Sequence, residues 1–149
     1  MTDNAEIARS LYDAFNRRDF DEEAALWAEE GVITIVGTGQ EFHGPDGSKE
    51  FSAMWDDALP DGRVRVDRVV TADPYVVVEF TGTGTHTGTL RTPSGPIPAT
   101  GRTITLQFCD VLEFRDGKAV SQHFYMDSGS MMAQLGLTAG QSQSTTHQQ

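Results

Sequence analysis

Three polar side chains share one face of the predicted strands, and their types suit proton transfer. In residues 104–114, ITLQFCDVLEF, every even-numbered position is apolar except Asp110, where a carboxylic acid interrupts the series. The same even register carries His86 in residues 75–90 and Gln122 in the last strand. An unpaired carboxyl group in apolar surroundings has a raised pKa and can exchange protons near neutral pH. We therefore predict that Asp110 is the proton carrier of a cavity, with His86 as a catalytic helper and Gln122 as a substrate-binding residue.

Each of these three residues also has a structural interpretation. Asp110 could be paired with an arginine or with backbone amides, because buried charges are generally paired. His86 could be a hydrogen-bonded residue at the sheet edge, and Gln122 could be a hydrogen-bonded anchor. At about 3.4 Å per residue, His86 would lie roughly 13 Å along the sheet from the row of Asp110. The two side chains would then line opposite ends of one cavity without touching.

Neighbours across the strands predict the surroundings of Asp110. If residues 102–114 fold back on residues 75–90, Asp110 lies near Gly82, whose missing side chain leaves space. Across the Asp116-Gly117 hairpin, Asp110 lies near Phe124 with Gln122 one diagonal step away. The remaining predicted wall of the cavity is aromatic and consists of Tyr12, Phe15, Trp55 and Phe108.

Composition excludes several other classes of protein. The chain has 149 residues, enough for one domain, and a net charge of −11, which argues against nucleic acid and anionic membrane partners. We find no signal-peptide pattern and no apolar run long enough to span a membrane. The single cysteine, Cys109, fits a reducing compartment. We therefore expect a cytoplasmic protein. The histidines have no metal-ligand spacing, and GTGTHTG lies inside a strand and not between a strand and a helix. We therefore predict no metal and no cofactor.

Periodicity predicts helices in the first part of the chain and strands in the second. This order is typical of an α+β fold, with helices packed on one face of an antiparallel sheet. Residues 1–137 are predicted to form a single domain and residues 138–149 a disordered tail. Asp21 is predicted to cap the second helix and Asp127 the last one. The predicted helices are 7–15, 22–30, one opened by the turn 44–47, and 129–136; the predicted strands are 31–36, 64–70, 75–90, 102–114 and 119–127.

The opposite face of the last two strands predicts an assembly. Its odd-numbered positions include Cys109, Val111, His123 and Tyr125, a mixture of apolar and aromatic side chains. Interface cores are enriched in aromatic residues and depleted in charge. We expect a homodimer that packs through this face.

Three segments of the chain resemble the SnoaL-like polyketide cyclases. These are IARSLYDAFNRRDFDEEAALWAEEGV, then GTGTHTG with its Pro-rich loop and TGR, and finally CDVLEFRDGKAVSQHFYMDSGSMMAQLGL. The resemblance covers roughly residues 5–137. It places the chain in the wider superfamily of nuclear-transport-factor-2-like cones, which also contains ketosteroid isomerases. It implies a curved antiparallel sheet around a hydrophobic cavity that helices close, commonly in a dimer or higher oligomer.

The resemblance also implies cofactor-independent, aldolase-like chemistry. In the family's cyclases the acid–base residue is an aspartate on the last strand, and a histidine on the preceding strand assists it. These positions fall on Phe124 and Asp110, so this sequence departs from the cyclase pattern and carries its carboxyl one strand away. We therefore expect a cyclase- or isomerase-like enzyme for a small, largely apolar carbonyl compound. The alternative is a non-catalytic ligand-binding or oligomerisation module that kept the cone and lost the chemistry.

Overall fold

Three of the four helices within residues 3–137 begin at a capping aspartate. The computed structural model describes residues 3–137. Asp3 caps the first helix by accepting from the Glu6 backbone N–H at 2.9 Å, and Asp127 caps the last by accepting from Ser130 N–H at 3.0 Å, as predicted for Asp127. The predicted tail lies outside the described residues. The helices are α1 (Asn4–Asn16), α2 (Phe20–Ala25), α3 (Gly44–Ala58) and α4 (Ser128–Gln134).

Residues 3–137 contain eight strands, and six of them form one sheet against which the helices pack. The strands are β1 (Trp27–Ile35), β2 (Gln40–His43), β3 (Arg63–Ala72), β4 (Tyr75–Thr85), β5 (Leu90–Thr92), β6 (Gly95–Ile97), β7 (Thr103–Arg115) and β8 (Lys118–Met126). The order in the sheet is β2-β1-β8-β7-β4-β3, and β5 and β6 pair separately. The α+β class is confirmed. One detail differs from the antiparallel expectation, because β1 runs parallel to β8 while the other pairs are antiparallel.

The second helix is shorter than its sequence pattern predicts. Helix α2 ends at Ala25, and Trp27 begins β1, whereas the pattern predicted a helix over 22–30. Trp27 is buried and pairs with Ala119 of β8, so tertiary pairing overrides the local preference for helix. The predicted cap is also wrong. Asp19 accepts from the Glu22 N–H, whereas Asp21 forms an ion pair with Lys49 at 2.7 Å.

The predicted strand 75–90 is interrupted after Thr85. The chain turns there toward the end of α3, and the Gly88 N–H donates to the Ala58 carbonyl at 3.2 Å. A Cβ atom at Gly88 would lie 1.8 Å from the Asp57 carbonyl oxygen, so only glycine permits this close approach. Leu90 then enters a second, smaller hydrophobic core with Ile104.

Two strand registers decide the position of Asp110. The Asp116-Gly117 turn has positive φ at both residues, as in a type I′ hairpin, and a one-residue register shift between Glu113 and Phe114 then brings Asp110 opposite Phe124, as predicted. The other predicted register is wrong by four residues, because Asp110 pairs with Val78 and not with Gly82. A two-residue turn leaves β7 and β8 within one residue of the register that it sets, and the bulge accounts for that residue. A long connection containing β5 and β6 separates β4 from β7 and leaves their register open.

The main core lies between the helices and the inner face of the sheet. Its buried members include Leu11 of α1, Val76 and Val78 of β4, and Leu112 of β7. The even register predicted for β4 and β7 is therefore the face that the helices cover. None of the helices within residues 3–137 is long and apolar enough to cross a membrane.

Candidate active site

A cavity of about 100 Å³ lies between the first three helices and the sheet. Its wall is largely apolar, and Arg63, which is exposed, lies at its rim. The lining residues are Leu11, Tyr12, Phe15, Glu23, Trp27, Ile33, Ser48, Phe51, Ser52, Trp55, Leu59, Gly62, Arg63, Val64, Phe80, Gly82, Thr83, Ile104, Phe108, Asp110, Gln122 and Phe124.

Asp110 lies in this cavity with one carboxyl oxygen held and the other free. Its side chain is 1% exposed. The Tyr12 hydroxyl of α1 donates to Oδ2 at 2.6 Å, and Oδ1 has no hydrogen-bond partner within residues 3–137. No cation of the described residues pairs with this carboxyl group, which excludes the interpretation of Asp110 as half of a structural ion pair there.

The surroundings of Asp110 favour its protonated form. Burial raises the pKa of Asp110 to about 7, although the Tyr12 hydroxyl and then the Gln122 amide each lower it. The Gln122 side chain is close enough to the carboxyl group to lower its pKa, but within residues 3–137 no hydrogen bond of ordinary geometry reaches Oδ1. Burial, followed by the nearness of Asp110, raises the pKa of Tyr12 well above its ordinary value, so the phenol stays a donor. Asp110 is therefore divided between acid and carboxylate at neutral pH.

Aromatic rings form the wall around the carboxyl group. Phe108 stacks on Phe80 with 5.0 Å between ring centroids and lies 5.4 Å from Phe124. Trp55 packs edge-on against Phe108 at 6.0 Å, and its buried Nε1–H has no partner in the described part of the chain. The space predicted at Gly82 is occupied, because a Cβ there would lie 2.9 Å from Phe108 Cε1.

The structure brings together most of the side chains that the sequence predicted for the site. Asp110 lines the cavity, and so do the predicted binding residues Tyr12, Phe15, Trp55, Gly82, Phe108, Gln122 and Phe124. The predicted combination of Asp110 and His86 in one cavity is not what the structure shows, since His86 is absent from the lining.

His86 instead belongs to the far end of the sheet. Its Nδ1 accepts from the Thr100 N–H at 3.2 Å and lies 3.0 Å from Thr100 Oγ1, while its own backbone N–H donates to the Arg102 carbonyl. Burial lowers the pKa of His86, which keeps the ring neutral. Because Asp110 pairs with Val78, His86 is eight residues further along the chain, about 27 Å of extended strand.

One carboxyl group in the cavity was missed at the level of sequence. Glu23 of α2 lines the cavity, and its Oε1 accepts from the Ser52 hydroxyl at 2.7 Å. Burial raises the pKa of Glu23 to about 7, against the lowering effect of that hydroxyl. A signal existed in the sequence, since Phe20, Glu23 and Trp27 are spaced as one helical face, with an acid between two aromatic residues.

The geometry supports proton transfer more than metal chemistry. Within residues 3–137, no group of three His, Cys, Asp or Glu side chains is arranged to hold a metal ion. The cavity instead combines two carboxyl groups of raised pKa, a phenol donor and an unpartnered indole N–H in an apolar wall. A carboxylate of this kind can remove a proton from carbon, and the indole N–H can bind the oxygen on which charge develops, while the phenol hydroxyl holds the carboxylate.

Solved structures share this fold over nearly the whole chain. A proposed SnoaL-like polyketide cyclase from Jannaschia sp. CCS1 superposes with a TM-score of 0.78 at 19% identity, covering 91% of this chain and 92% of that one. A protein from Catenulispora acidiphila with a ketosteroid isomerase-like fold gives 0.75 at 20% identity, with 91% and 95% covered.

A third solved structure is closer in sequence. IdmH of Streptomyces antibioticus, a proposed polyketide cyclase, gives a TM-score of 0.73 at 26% identity, covering 89% of this chain and 97% of that one. No curated protein matches the chain in sequence. The family described as SnoaL-like polyketide cyclase matches residues 5–135. Because that match spans most of the 149 residues, the chain belongs to the SnoaL-like polyketide cyclase family.

Proposed function

We propose that this protein is a cofactor-independent acid–base enzyme of the cyclase or isomerase type, with Asp110 as its proton carrier. Its substrate is a small, largely apolar carbonyl compound that binds in the cavity. The observation that carries the proposal is the free Oδ1 of a fully buried carboxyl group, whose pKa is raised to about 7. A core aspartate that served only packing would have both oxygens satisfied.

Asp110 and Trp55 supply the two complementary halves of the reaction. The Asp110 carboxylate removes a proton from the carbon next to the substrate carbonyl, and Oδ1 is the oxygen available to take it. Tyr12 holds Oδ2 and so fixes the direction of the carboxyl group. The free Trp55 Nε1–H donates to the carbonyl oxygen, where negative charge develops as the enolate forms.

The position of the carboxyl group explains how this chain can differ from the cyclase pattern. By resemblance, the family's acid–base aspartate would stand at Phe124, and Asp110 is the direct cross-strand partner of that residue. The two positions face the same cavity. A carboxyl group moved across one strand therefore still reaches a substrate there, while Phe124 supplies apolar wall.

A base-only probe tests the proposal without knowledge of the substrate. A nitrobenzisoxazole loses its ring C–H proton to a base, the C–H electron pair forms a nitrile as the N–O bond breaks, and the product is a coloured cyanophenolate. We expect wild type to accelerate this elimination over a free carboxylate, and Asp110→Asn to lower the rate by roughly 10²- to 10⁴-fold. Glu113→Gln is the matched control, because it removes a carboxylate from the opposite face of the same strand. Equal rates in wild type and Asp110→Asn would contradict the proposal and favour the non-catalytic binding module.

The outer face of β7 and β8 supports a homodimer proposal. Tyr125 is 42% exposed, and Cys109 and Val111 are partly exposed on the same face. We expect light scattering at micromolar concentration to give the mass of a dimer, and Tyr125→Lys to shift it toward the monomer. A monomeric mass for wild type would contradict this assembly.

A further inference from the structure

A second carboxyl group enters the cavity from the helical layer, and the step assigned to Asp110 does not use it. Glu23 lines the cavity from α2, and the Ser52 hydroxyl of α3 donates to its Oε1 at 2.7 Å. Ser52 is itself only 2% exposed. The buried Ser52 hydroxyl therefore donates its hydrogen bond to a carboxyl group in a largely apolar wall. Packing of the two helices does not by itself require such a bond.

The two acidic residues that precede Glu23 in α2 form ion pairs, whereas Glu23 does not within residues 3–137. Asp21 is paired with Lys49 at 2.7 Å, and Glu22 is paired with Arg17. Both of these acids face the surface. Glu23 is half-buried and lines the cavity, and it has no ion pair within residues 3–137, so no cation there balances its charge.

We propose that Glu23, held by Ser52, donates a proton to an oxygen atom of the substrate while Asp110 removes a proton from carbon. This inference rests on the function proposed above and narrows the substrate class to enolisable carbonyl compounds. The C–H proton moves to Asp110 Oδ1, and the C–H electron pair forms the new C=C bond. The carbonyl π pair moves to oxygen, which takes the proton from Glu23. The product is the enol, Asp110 is left protonated and Glu23 ionised, and the reverse transfers restore both groups.

The groups around Glu23 leave it able to hold that proton. The Ser52 hydroxyl of α3 donates a hydrogen bond to Glu23. Asp110 of β7 and, to a smaller extent, Glu23 raise the pKa of Tyr12 in α1. The nearby cations are Arg17, which directly follows α1, and Lys49 of α3. They form ion pairs with Glu22 and Asp21. Burial raises the pKa of Glu23 to about 7. A reaction that needs ionised Asp110 and protonated Glu23 should therefore be fastest near pH 7 and slower on both sides.

Two probes on the full chain separate the roles of the two carboxyl groups. The nitrobenzisoxazole elimination needs only a base, because its phenolate leaves without a proton. Exchange of the α-hydrogens of β-tetralone in heavy water, followed by NMR, also needs help at the carbonyl oxygen. We expect Glu23→Gln to lower the exchange rate by about 10²-fold and the elimination by no more than a few-fold. Glu22→Gln is the matched control, and we expect it to leave both rates within about twofold.

Ser52→Ala tests the positioning role of the hydroxyl. It removes a hydrogen bond that lowers the pKa of Glu23. Glu23 then keeps its proton to higher pH, so the alkaline limb of the exchange profile should move to higher pH. An unmoved alkaline limb would contradict the positioning role, whereas a serine that only packs would change stability alone.

The outcomes distinguish failure of this inference from failure of the proposed function. If Glu23→Gln lowers neither rate, or lowers both equally, Glu23 is not the donor, even when Asp110→Asn abolishes both reactions. If wild type accelerates neither probe, the proposed function itself is overturned, and the role of Glu23 with it. A carboxyl ¹³C NMR titration adds a check without substrate: a Glu23 pKa near the ordinary value of about 4.3 would overturn the inference.

Discussion

Asp110 and His86 lie on the same face of the same sheet, yet their surroundings give them different properties. Each is 1% exposed, and each has one buried polar atom without a hydrogen-bond partner among residues 3–137, Oδ1 in Asp110 and Nε2 in His86. Asp110 borders a cavity, whereas His86 is bonded to Thr100 beside the loop between β4 and β7. Burial acts on both pKa values in the direction that favours the neutral form. Burial shifts the pKa of a polar group, but only a cavity beside the group lets a substrate reach it.

The largest expected effect is on catalysis. Asp110→Asn should lower the nitrobenzisoxazole elimination by roughly 10²- to 10⁴-fold, because the carboxylate is the base. His86→Asn should lower it less than about tenfold, because His86 does not line the cavity. A pH profile of the wild type should rise to a plateau with its midpoint near pH 7, following ionisation of Asp110. An equal loss in the two variants would restore the catalytic role first predicted for His86.

The second effect is on stability, where the two residues should respond to pH in opposite ways. The pKa of Asp110 is raised to about 7 in the folded state, against about 3.9 for an unfolded aspartate. The folded state therefore binds the proton more tightly, and the cost of ionising it grows as pH rises through 3.9 and levels off above 7. Asp110→Asn removes this cost. We expect its stability relative to wild type to increase by roughly 2 to 3 kcal/mol between pH 5 and pH 8.

Urea unfolding of the two proteins at pH 5 and pH 8 measures this difference. Glu23 is present in both proteins, so its own titration cancels to first order. If Asp110→Asn were clearly less stable than wild type at pH 8, the catalytic interpretation of Asp110 would have to be dropped.

A smaller effect is expected at the unpartnered indole of the cavity. Trp55→Phe keeps an aromatic ring and removes the Nε1–H, which has no hydrogen-bond partner in the described part of the chain. We expect about a tenfold loss in the rate of β-tetralone exchange, the order of one hydrogen bond to a developing charge. The elimination rate should fall less, because that probe has no carbonyl oxygen. Equal losses with both probes would indicate that the ring shape matters and the N–H does not.

The smallest effect on catalysis is expected at His86, whose variant should mainly lose stability. His86→Asn should destabilise the fold by about 1 to 3 kcal/mol at pH 7, since it disturbs a buried hydrogen-bonded ring. Because the folded-state pKa of His86 is lowered, wild type loses stability as pH falls below the unfolded value of about 6.5. The difference between wild type and variant should therefore shrink from pH 7 to pH 5. A constant difference across this range would contradict a neutral, buried His86.

Local chemistry was enough to predict much of the fold. Alternation of apolar residues assigned the inner face of β4 and β7, so the inward position of Asp110 could be predicted before any partner was known. The Asp116-Gly117 turn brought Asp110 close to Phe124, and a one-residue register shift beside the turn completed their pairing. Both features depend on residues close in sequence, where side-chain period and turn geometry leave little choice.

Tertiary contacts decided the remainder of the site. The register of β4 against β7 placed Val78 and not Gly82 beside Asp110, because the long connection between these strands does not constrain it. Pairing of Trp27 with β8 ended α2 early, after Glu23.

These long-range contacts determined which residues line the cavity. The shifted register carried His86 away from Asp110, while packing of α2 on α3 brought Glu23 to Ser52. The sequence by itself therefore determined which side chains of β4 and β7 face inward. Only the folded chain decided which of them meet, because that depends on contacts between residues far apart in sequence, which no local pattern encodes.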